Sequence, residues 1–329
     1  MTSRDPLDAV ARPYDVLAMG RSSIDLYAHE IGRPIADVRS FDAYVGGCPT
    51  NVSVGTRRLG LRSVLLTAVG DDQVGDFVTA FLDREQVDTR FIPRKQGRRT
   101  SAVILTIQPP DSFPLTFYRD NCADRALTID DVARAPIAES RVVFLTGTGL
   151  SHEPARAATF AASAAARDAG VPIVVDLDYR ADQWDSPGAF AAQMQTLLRS
   201  ATLAVGTEEE LAAASGSPDV AGGTATILQS GIRALVLKRG ARGSTIFQSA
   251  CGPADVSPFP IEVLNVLGAG DAFASGFLYG FLQGWPLERA ARIGNACGAI
   301  VVTRHGCANF MPTLDEVTAF VAERGEPAI

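Results

Sequence analysis

The chain is poor in the residues that metal and hydrolytic chemistry need. Its three histidines, His29, His152 and His305, are scattered over 329 residues, and no G-x-S-x-G elbow accompanies them. The pattern H-E-x-x-H fails because His152-Glu153 is followed by Arg156 where the second histidine would stand. A Ser-His hydrolase and a zinc peptidase are excluded on those grounds. Five cysteines (Cys48, Cys122, Cys251, Cys297 and Cys307) form no C-x-x-C and leave one over after full pairing, so they signal neither a zinc site nor a disulfide framework. Reduced thiols in a cytoplasmic protein are the expectation. Residues Met1–Pro13 lack the basic-then-apolar order of a signal peptide, and no apolar run approaches the ~20 residues that span a bilayer, so no membrane partner is expected. The Walker A phosphate loop is also absent. The net charge of -7 includes no run of like charges long enough to track a phosphate backbone, which argues against a nucleic-acid partner.

What is present is core. With 47% hydrophobic residues the chain can bury a large interior. Short β-rich runs at Asp15–Gly20, Val64–Val69, Val142–Thr146, Pro172–Asp178, Leu203–Gly206 and Ala234–Lys238 alternate with stretches of helical period. That alternation predicts an α/β fold, a mainly parallel sheet with helices on both faces. Ala155–Ala169 reads as a helix stopped by Gly170, and Thr313–Arg324 as a terminal helix. Gly216–Gly223 is the most loop-like stretch. Two segments, Ile24–Tyr44 and Arg99–Arg119, read as strands without crossover helices, which predicts a small antiparallel sheet projecting from the body as a flap.

The most informative segment is Asn265-Val-Leu-Gly268-Ala269-Gly270-Asp271, a small-residue turn that feeds an apolar helical run. Such a turn lets backbone approach a ligand, and the first N–H groups of the helix would face an anion such as a phosphate. Asp271, in the first turn, would then take the proton of a hydroxyl attacking that phosphate. The same residues would equally serve as a tight turn and a helix cap. A second glycine-rich segment, Gly46-Gly47-Cys48-Pro49-Thr50-Asn51, also opens a helix, with Pro49 suited to its first turn. Asn51 would meet substrate hydroxyls from there, or simply start the helix.

Together these segments resemble the two signatures of the PfkB carbohydrate kinases, the ribokinase-like superfamily. The resemblance runs from Asp15 to about Pro312 and includes Gly20-Arg-Ser-Ser-Ile-Asp25 and Gly70-Asp71-Asp72-Gln-Val-Gly75. It implies a three-layer α/β/α sandwich with a small β-sheet lid: one kinase domain over about 14–325, with lid segments near 24–44 and 99–119. It implies ATP and Mg²⁺ as cofactors, Asp271 as catalytic base, and Gly268, Ala269 and Gly270 as the anion hole. Asp25, Gly47 and Asn51 would hold substrate hydroxyls. Lys238-Arg-Gly240-Ala-Arg-Gly243 resembles the nucleotide-binding strand and turn, although a plain hairpin turn fits the residues too, and Asn295 resembles the helix flanking adenine.

The chain departs from the pattern twice. Thr207-Glu-Glu-Glu210 keeps only the glutamate of the family's Asn-x-x-Glu, so Glu210 carries an indirect metal role through water, with a solvated helix start as the alternative. Asn265 replaces an aspartate that helps hold a monovalent cation in relatives, which leaves potassium activation uncertain. The substrate is indicated by Phe113-Pro-Leu-Thr-Phe117-Tyr118-Arg119-Asp-Asn-Cys-Ala123-Asp124 and by Asp176-Leu-Asp178-Tyr179-Arg180. The first phrase is similar to the family's kinases of six-carbon sugar acids, which implies Tyr118 as a substrate contact. Arg119 and Arg180 would converge on a carboxylate, or each would pair with a neighbouring acid. The expected partners are a small sugar acid and a second copy of the chain, paired through the flap.

Overall fold

The computed structural model describes residues 12–108, 113–249, 251–326 and 329. The lack of a leader pattern in residues 1–11 therefore lies outside the described residues, as does the part of the flap at 109–112. In chain order the strands are β1 (Tyr14–Met19), β2 (Ser23–Ala28), β3 (Phe41–Gly46), β4 (Ser63–Leu66), β5 (Val69–Gly70), β6 (Arg94–Lys95), β7 (Ser101–Leu105), β8 (Leu115–Tyr118), β9 (Ser140–Thr146), β10 (Ile173–Asp176), β11 (Leu203–Thr207), β12 (Ala234–Lys238), β13 (Ser244–Gln248) and β14 (Cys251–Val256).

Eight of them make the central sheet in the order β14-β13-β12-β11-β10-β9-β1-β4. From β12 to β4 every neighbour is parallel, and only β13 and β14 run antiparallel at one edge. The sequence explains this. Strands such as Val142–Leu145 and Ile173–Val175 are apolar without interruption, as strands covered on both faces must be. Alternation then sorts the side chains: Val16, Ala18, Val142 and Phe144 enter one core, while Leu17, Met19, Val143 and Leu145 enter the other. The first core is closed by α1 (Cys48–Arg58), α2 (Gln73–Arg84), α8 (Ala269–Leu282), α9 (Leu287–Val301) and α10 (Leu314–Ala322). The second is closed by α3 (Ile129–Arg134), α4 (Ala155–Asp168), α5 (Pro187–Leu198), α6 (Glu208–Ser215) and α7 (Val220–Leu228).

Two expectations need correcting. The flap segments do pair into one sheet, ordered β3-β2-β7-β8, but β2 and β7 run parallel, so the sheet is mixed rather than antiparallel. The chain leaves the flap after β3, builds α1 to β6, and returns along β2, a route that a local hairpin cannot take. The loop expected at Gly216–Gly223 holds the start of α7 from Val220. Asp219 caps that helix by accepting from Gly222 N at 2.8 Å, and Gly223 is tolerated because a Cβ there would sit 3.0 Å from Leu211 Cγ.

The chain moves outward in opposite directions from the β9–β1 pair, which makes that pair the point where strand order reverses. Ligands bind α/β sheets beyond the carboxyl ends of the strands near such a point. The carboxyl ends of β1, β9, β10, β11 and β12 deliver Gly20-Arg21, Thr146–Thr148, Asp176–Arg180, Thr207–Glu210 and Lys238. The flap's inner face (Tyr27, Val103, Leu105, Phe117) packs on Leu267 and Cys307 above them.

Candidate active site

Asp271 stands in the first turn of α8, whose N-cap Gly268 has φ +81°, the left-handed conformation that glycine permits. A Cβ on Gly268 would lie 3.2 Å from Cys307 Sγ, and one on Gly270 would lie 3.2 Å from Lys238 Nζ. Of the three amides assigned to the anion hole, that of Ala269 is engaged, donating to Val266 O at 3.3 Å. The amides of Gly268, Gly270 and Asp271 have no protein acceptor among the described residues, so two of the three expected amides are free and that of Asp271 joins them.

Asp271 is held from α1. Asn51 Nδ2 donates to Asp271 Oδ2 at 2.7 Å, while Asn51 Oδ1 is buried without a partner. Burial raises the Asp271 pKa above the usual carboxylate range; the Asn51 amide and the Cys48 thiol act the other way. Gly47, at φ +104°, brings α1 against β1's exit: a Cβ there would meet Arg21 O at 2.4 Å.

Asp271, Asn51, Gly47, Asp25, Arg180 and Gly268 line one cavity, together with Arg21, Tyr27, Cys48 and Cys307, under Val103, Leu105, Leu115 and Phe117 of the flap. The cavity measures about 70 Å³, far below the ~300–1,000 Å³ of an open ligand pocket. A larger cavity of about 380 Å³ lies apart, lined by Ser151, His152, Arg156 and Gln183, and contains none of the predicted site residues.

Asp25 is 6% exposed, and burial raises its pKa to about 6, against the lowering effects of Arg21 and Ser23. The folded chain thus holds this proton more tightly than the unfolded chain, whose aspartates titrate near ~3.9. Stability is then full below pH ~4 and is lost as pH rises through about 6, by at most about 3 kcal/mol. Asp25→Asn is expected to raise the melting temperature at pH 8 and to match the wild type near pH 4. Equal displacement at both pH values in thermal denaturation would contradict a buried, protonatable Asp25.

Two expected substrate contacts are not brought to this cavity. Arg119 is 6% exposed and pairs with Asp124 at 2.6 Å; it also donates to Thr148 O, Ser151 Oγ and Gln183 Oε1, so its fork is saturated. Tyr118 is 57% exposed, because Leu115 and Phe117 take the cavity side of β8 and alternation sends Tyr118 to the other. Arg180 does reach the cavity, with Nη2 2.9 Å from Asp178 Oδ1, and Asp178 raises its pKa. The pocket residues Arg21 and Tyr27 escaped the sequence reading, although the spacing Arg21, Ser23, Asp25, Tyr27 places all four on one side of an extended strand.

Lys238 Nζ is 3.0 Å from Asp176 Oδ2 beside the Gly270 turn. Gly240 and Gly243 form the turn of the β12–β13 hairpin, and Gly243, at φ +80°, would carry a Cβ 2.2 Å from Val256 O. Asn295 on α9 reaches the same strand end, donating to Ser257 O at 2.9 Å. Glu210 closes a capping box on α6: Oε2 accepts from Thr207 N at 2.7 Å, and the side chain is largely buried rather than solvated. Asn265 is fully buried and steadies the turn, its Oδ1 accepting from Leu267 N at 3.0 Å. Among the described residues no cluster of three His, Cys, Asp or Glu could hold a metal ion, and no helix is long and apolar enough to cross a membrane.

A carboxylate beside free amides at a helix start, over a cavity at the sheet's switch point, is the arrangement in which an α/β enzyme can bind an anion and accept a proton. The sequence matches the model of the pfkB family carbohydrate kinases over residues 14–314. It is 34% identical over 321 residues to the 5-dehydro-2-deoxygluconokinase of Clostridium tetani, covering 96% of this chain and 95% of that protein. The protein of that name from Geobacillus thermodenitrificans is 34% identical over 315 residues, 94% of each chain. Among solved structures, a PfkB protein from Polaromonas superposes with TM-score 0.82 at 25% identity, over 93% of this chain and 99% of that one. The Vibrio cholerae fructokinase with fructose, ADP and calcium bound gives TM-score 0.82 at 27% identity, over 93% and 99%. The chain therefore belongs to the pfkB family of carbohydrate kinases, with the ribokinase-like three-layer fold and a mainly parallel central sheet.

Proposed function

We propose that the protein transfers the γ-phosphoryl group of ATP to the terminal hydroxyl of 5-dehydro-2-deoxy-D-gluconate, a step of inositol breakdown. The observation that carries this reading is the Asn51-tethered Asp271 beside the free amides of Gly270 and Asp271. Asp271 takes the hydroxyl proton, its raised pKa making it a better base than a solvated carboxylate. The two amides meet the charge that builds on the transferring phosphoryl, and Lys238, next to Gly270, adds a cation. Asp25 and the unmatched Asn51 Oδ1 receive substrate hydroxyls beside Gly47. The nucleotide lies along Gly240 and Gly243 toward Asn295, which meet at Val256–Pro258.

Mg²⁺ neutralises the phosphate charge when bound. The residues fit an ion that keeps its waters and rides on the nucleotide, since no three-carboxylate cage exists among those described. Glu210 would hold it through water by its second oxygen, which has no protein partner and is not sealed from solvent.

The relatives named above support the sugar acid, as does Arg180 in the cavity. ADP release over a panel of sugar acids, ketoses and nucleosides is expected to show highest kcat/KM on 5-dehydro-2-deoxygluconate. Preference for 2-keto-3-deoxygluconate would reassign the substrate within the same class, and activity confined to ribose, fructose or adenosine would refute it. Tight sugar binding without ATP consumption would instead mark an inactive regulator on this fold.

The flap acts as a lid that opens to admit substrate, because the cavity beneath it is too small for a six-carbon acid as it stands. Its outer face shows Phe41 and Tyr118 between open edges β3 and β8, a surface suited to a second copy of the chain. Hydrogen exchange at β2, β7 and β8 should slow on adding substrate, and exchange at the two edges should slow as protein concentration rises. Exchange indifferent to both would remove the lid and the dimer.

A further inference from the structure

Three arginines from separate segments are candidates to meet an acid substrate, and they differ in what their charge meets. Arg119 is locked to Asp124, and Arg180 shares its charge with Asp178 through one contact at 2.9 Å. Arg21, which follows β1, is 8% exposed and lines the cavity, yet no carboxylate lies at ion-pair distance from it among the described residues. Its guanidinium donates from Nη1 to Ser23 Oγ at 2.8 Å, and Ser23 Oγ donates in turn to Asp25 Oδ1 at 2.6 Å. The lid's Phe117 ring lies 5.3 Å from its central carbon. None of its nitrogens is among the sealed groups without a partner, so the uncommitted ones open onto the cavity.

A cation taken out of water with no carboxylate in direct contact is costly, and the fold keeps one in the pocket where substrate enters, with Asp25 acting on it only across the Ser23 hydroxyl. We propose that Arg21 is the specificity-determining residue of this kinase: its free N–H groups bind the carboxylate of the acid substrate, with Ser23 and Phe117 fixing the plane of the fork. The proposal rests on the sugar-acid reading of the same cavity and names the residue that makes the distinction. The planar fork matches a carboxylate in two parallel hydrogen bonds, which a ketose or a nucleoside cannot supply. The arrangement also explains why Asp25 sits one hydroxyl away from Arg21 instead of pairing with it. Direct pairing would neutralise the cation and close the site to an acid.

The test compares the wild type with Arg21→Met and Arg21→Lys. Calorimetric titration with 5-dehydro-2-deoxygluconate and with its C1 amide measures the preference for the charged end, and steady-state kinetics on the acid separate KM from kcat. Arg21→Met is expected to weaken acid binding about 100-fold, down to the affinity for the amide, with the loss in KM. Arg21→Lys should recover part of it. Because Arg21 opposes the burial of the Asp25 carboxyl, any fall in melting temperature should be confined to pH above the carboxylate range, and binding is compared only among folded variants; if Arg21→Met does not fold, Arg21→Gln takes its place. Acid and amide weakened equally, or acid binding retained, would overturn the role of Arg21 while leaving the kinase reading intact. A wild type that binds neither compound would overturn the sugar-acid reading itself.

Discussion

Asp271→Asn is expected to lower kcat about 1,000-fold or more while leaving KM for the sugar acid within a few-fold. The substitution keeps shape and removes the proton acceptor. Asn51 Nδ2, now 2.7 Å from a carboxylate oxygen, still finds an oxygen on the new amide, so the α1–α8 tether survives. The amides of Gly270 and Asp271 depend on the backbone alone and stay in place to receive phosphate. ADP release at saturating substrate, with equilibrium binding of the acid measured alongside, separates chemistry from affinity. A variant that retains more than about a tenth of wild-type turnover would remove Asp271 as the base.

Lys238→Met is expected to destabilise the fold by about 3 kcal/mol or more. The Lys238 and Asp176 side chains are 12% and 3% exposed, and their contact is 3.0 Å. Burial works to lower the Lys238 pKa, but the carboxylates of Asp176 and Glu210 outweigh it and raise it. For Asp176 burial pushes upward, with Glu210, Asp178 and Asp271 adding to it, and Lys238 is the opposing charge. Without the lysine, Asp176 binds its proton far more tightly in the folded than in the unfolded chain. The deficit therefore grows as pH rises above the unfolded carboxylate range and shrinks toward pH 4. Denaturant unfolding at pH 5 and pH 8 reads this directly, and the double variant Lys238→Met/Asp176→Leu should regain much of the loss. A single variant as stable as the wild type at pH 8 would mean that the pair is not desolvated.

These expected results separate roles that the sequence leaves merged. Lys238 reads as part of a nucleotide strand, yet its position beside Gly270 and Asp176 makes it a structural counter-ion as well as a neighbour of the phosphoryl turn. Arg119 and Arg180 look equivalent as letters, and either would suit a carboxylate. Only the paths of β8 and the segment after β10 decide that one is saturated by Asp124 and Thr148 while the other reaches the cavity. Arg21 stood inside a recognised motif without being singled out, because its value depends on having no carboxylate in direct contact, which is a property of three-dimensional neighbours.

The sequence by itself determined the α/β alternation, the parallel core strands, and the two glycine-rich helix starts with Asn51 and Asp271. Those features are local: periodicity, unbroken apolar runs and the backbone freedom of glycine are written within a few residues of one another. Tertiary structure alone decided the mixed pairing of the lid, the side of β8 that faces the cavity, and the allocation of the arginines. Each depends on contacts between segments remote in the chain, such as Asn51 with Asp271 and Arg119 with Gln183, where long-range packing and the demand to satisfy buried charge select among partners that the sequence offers equally.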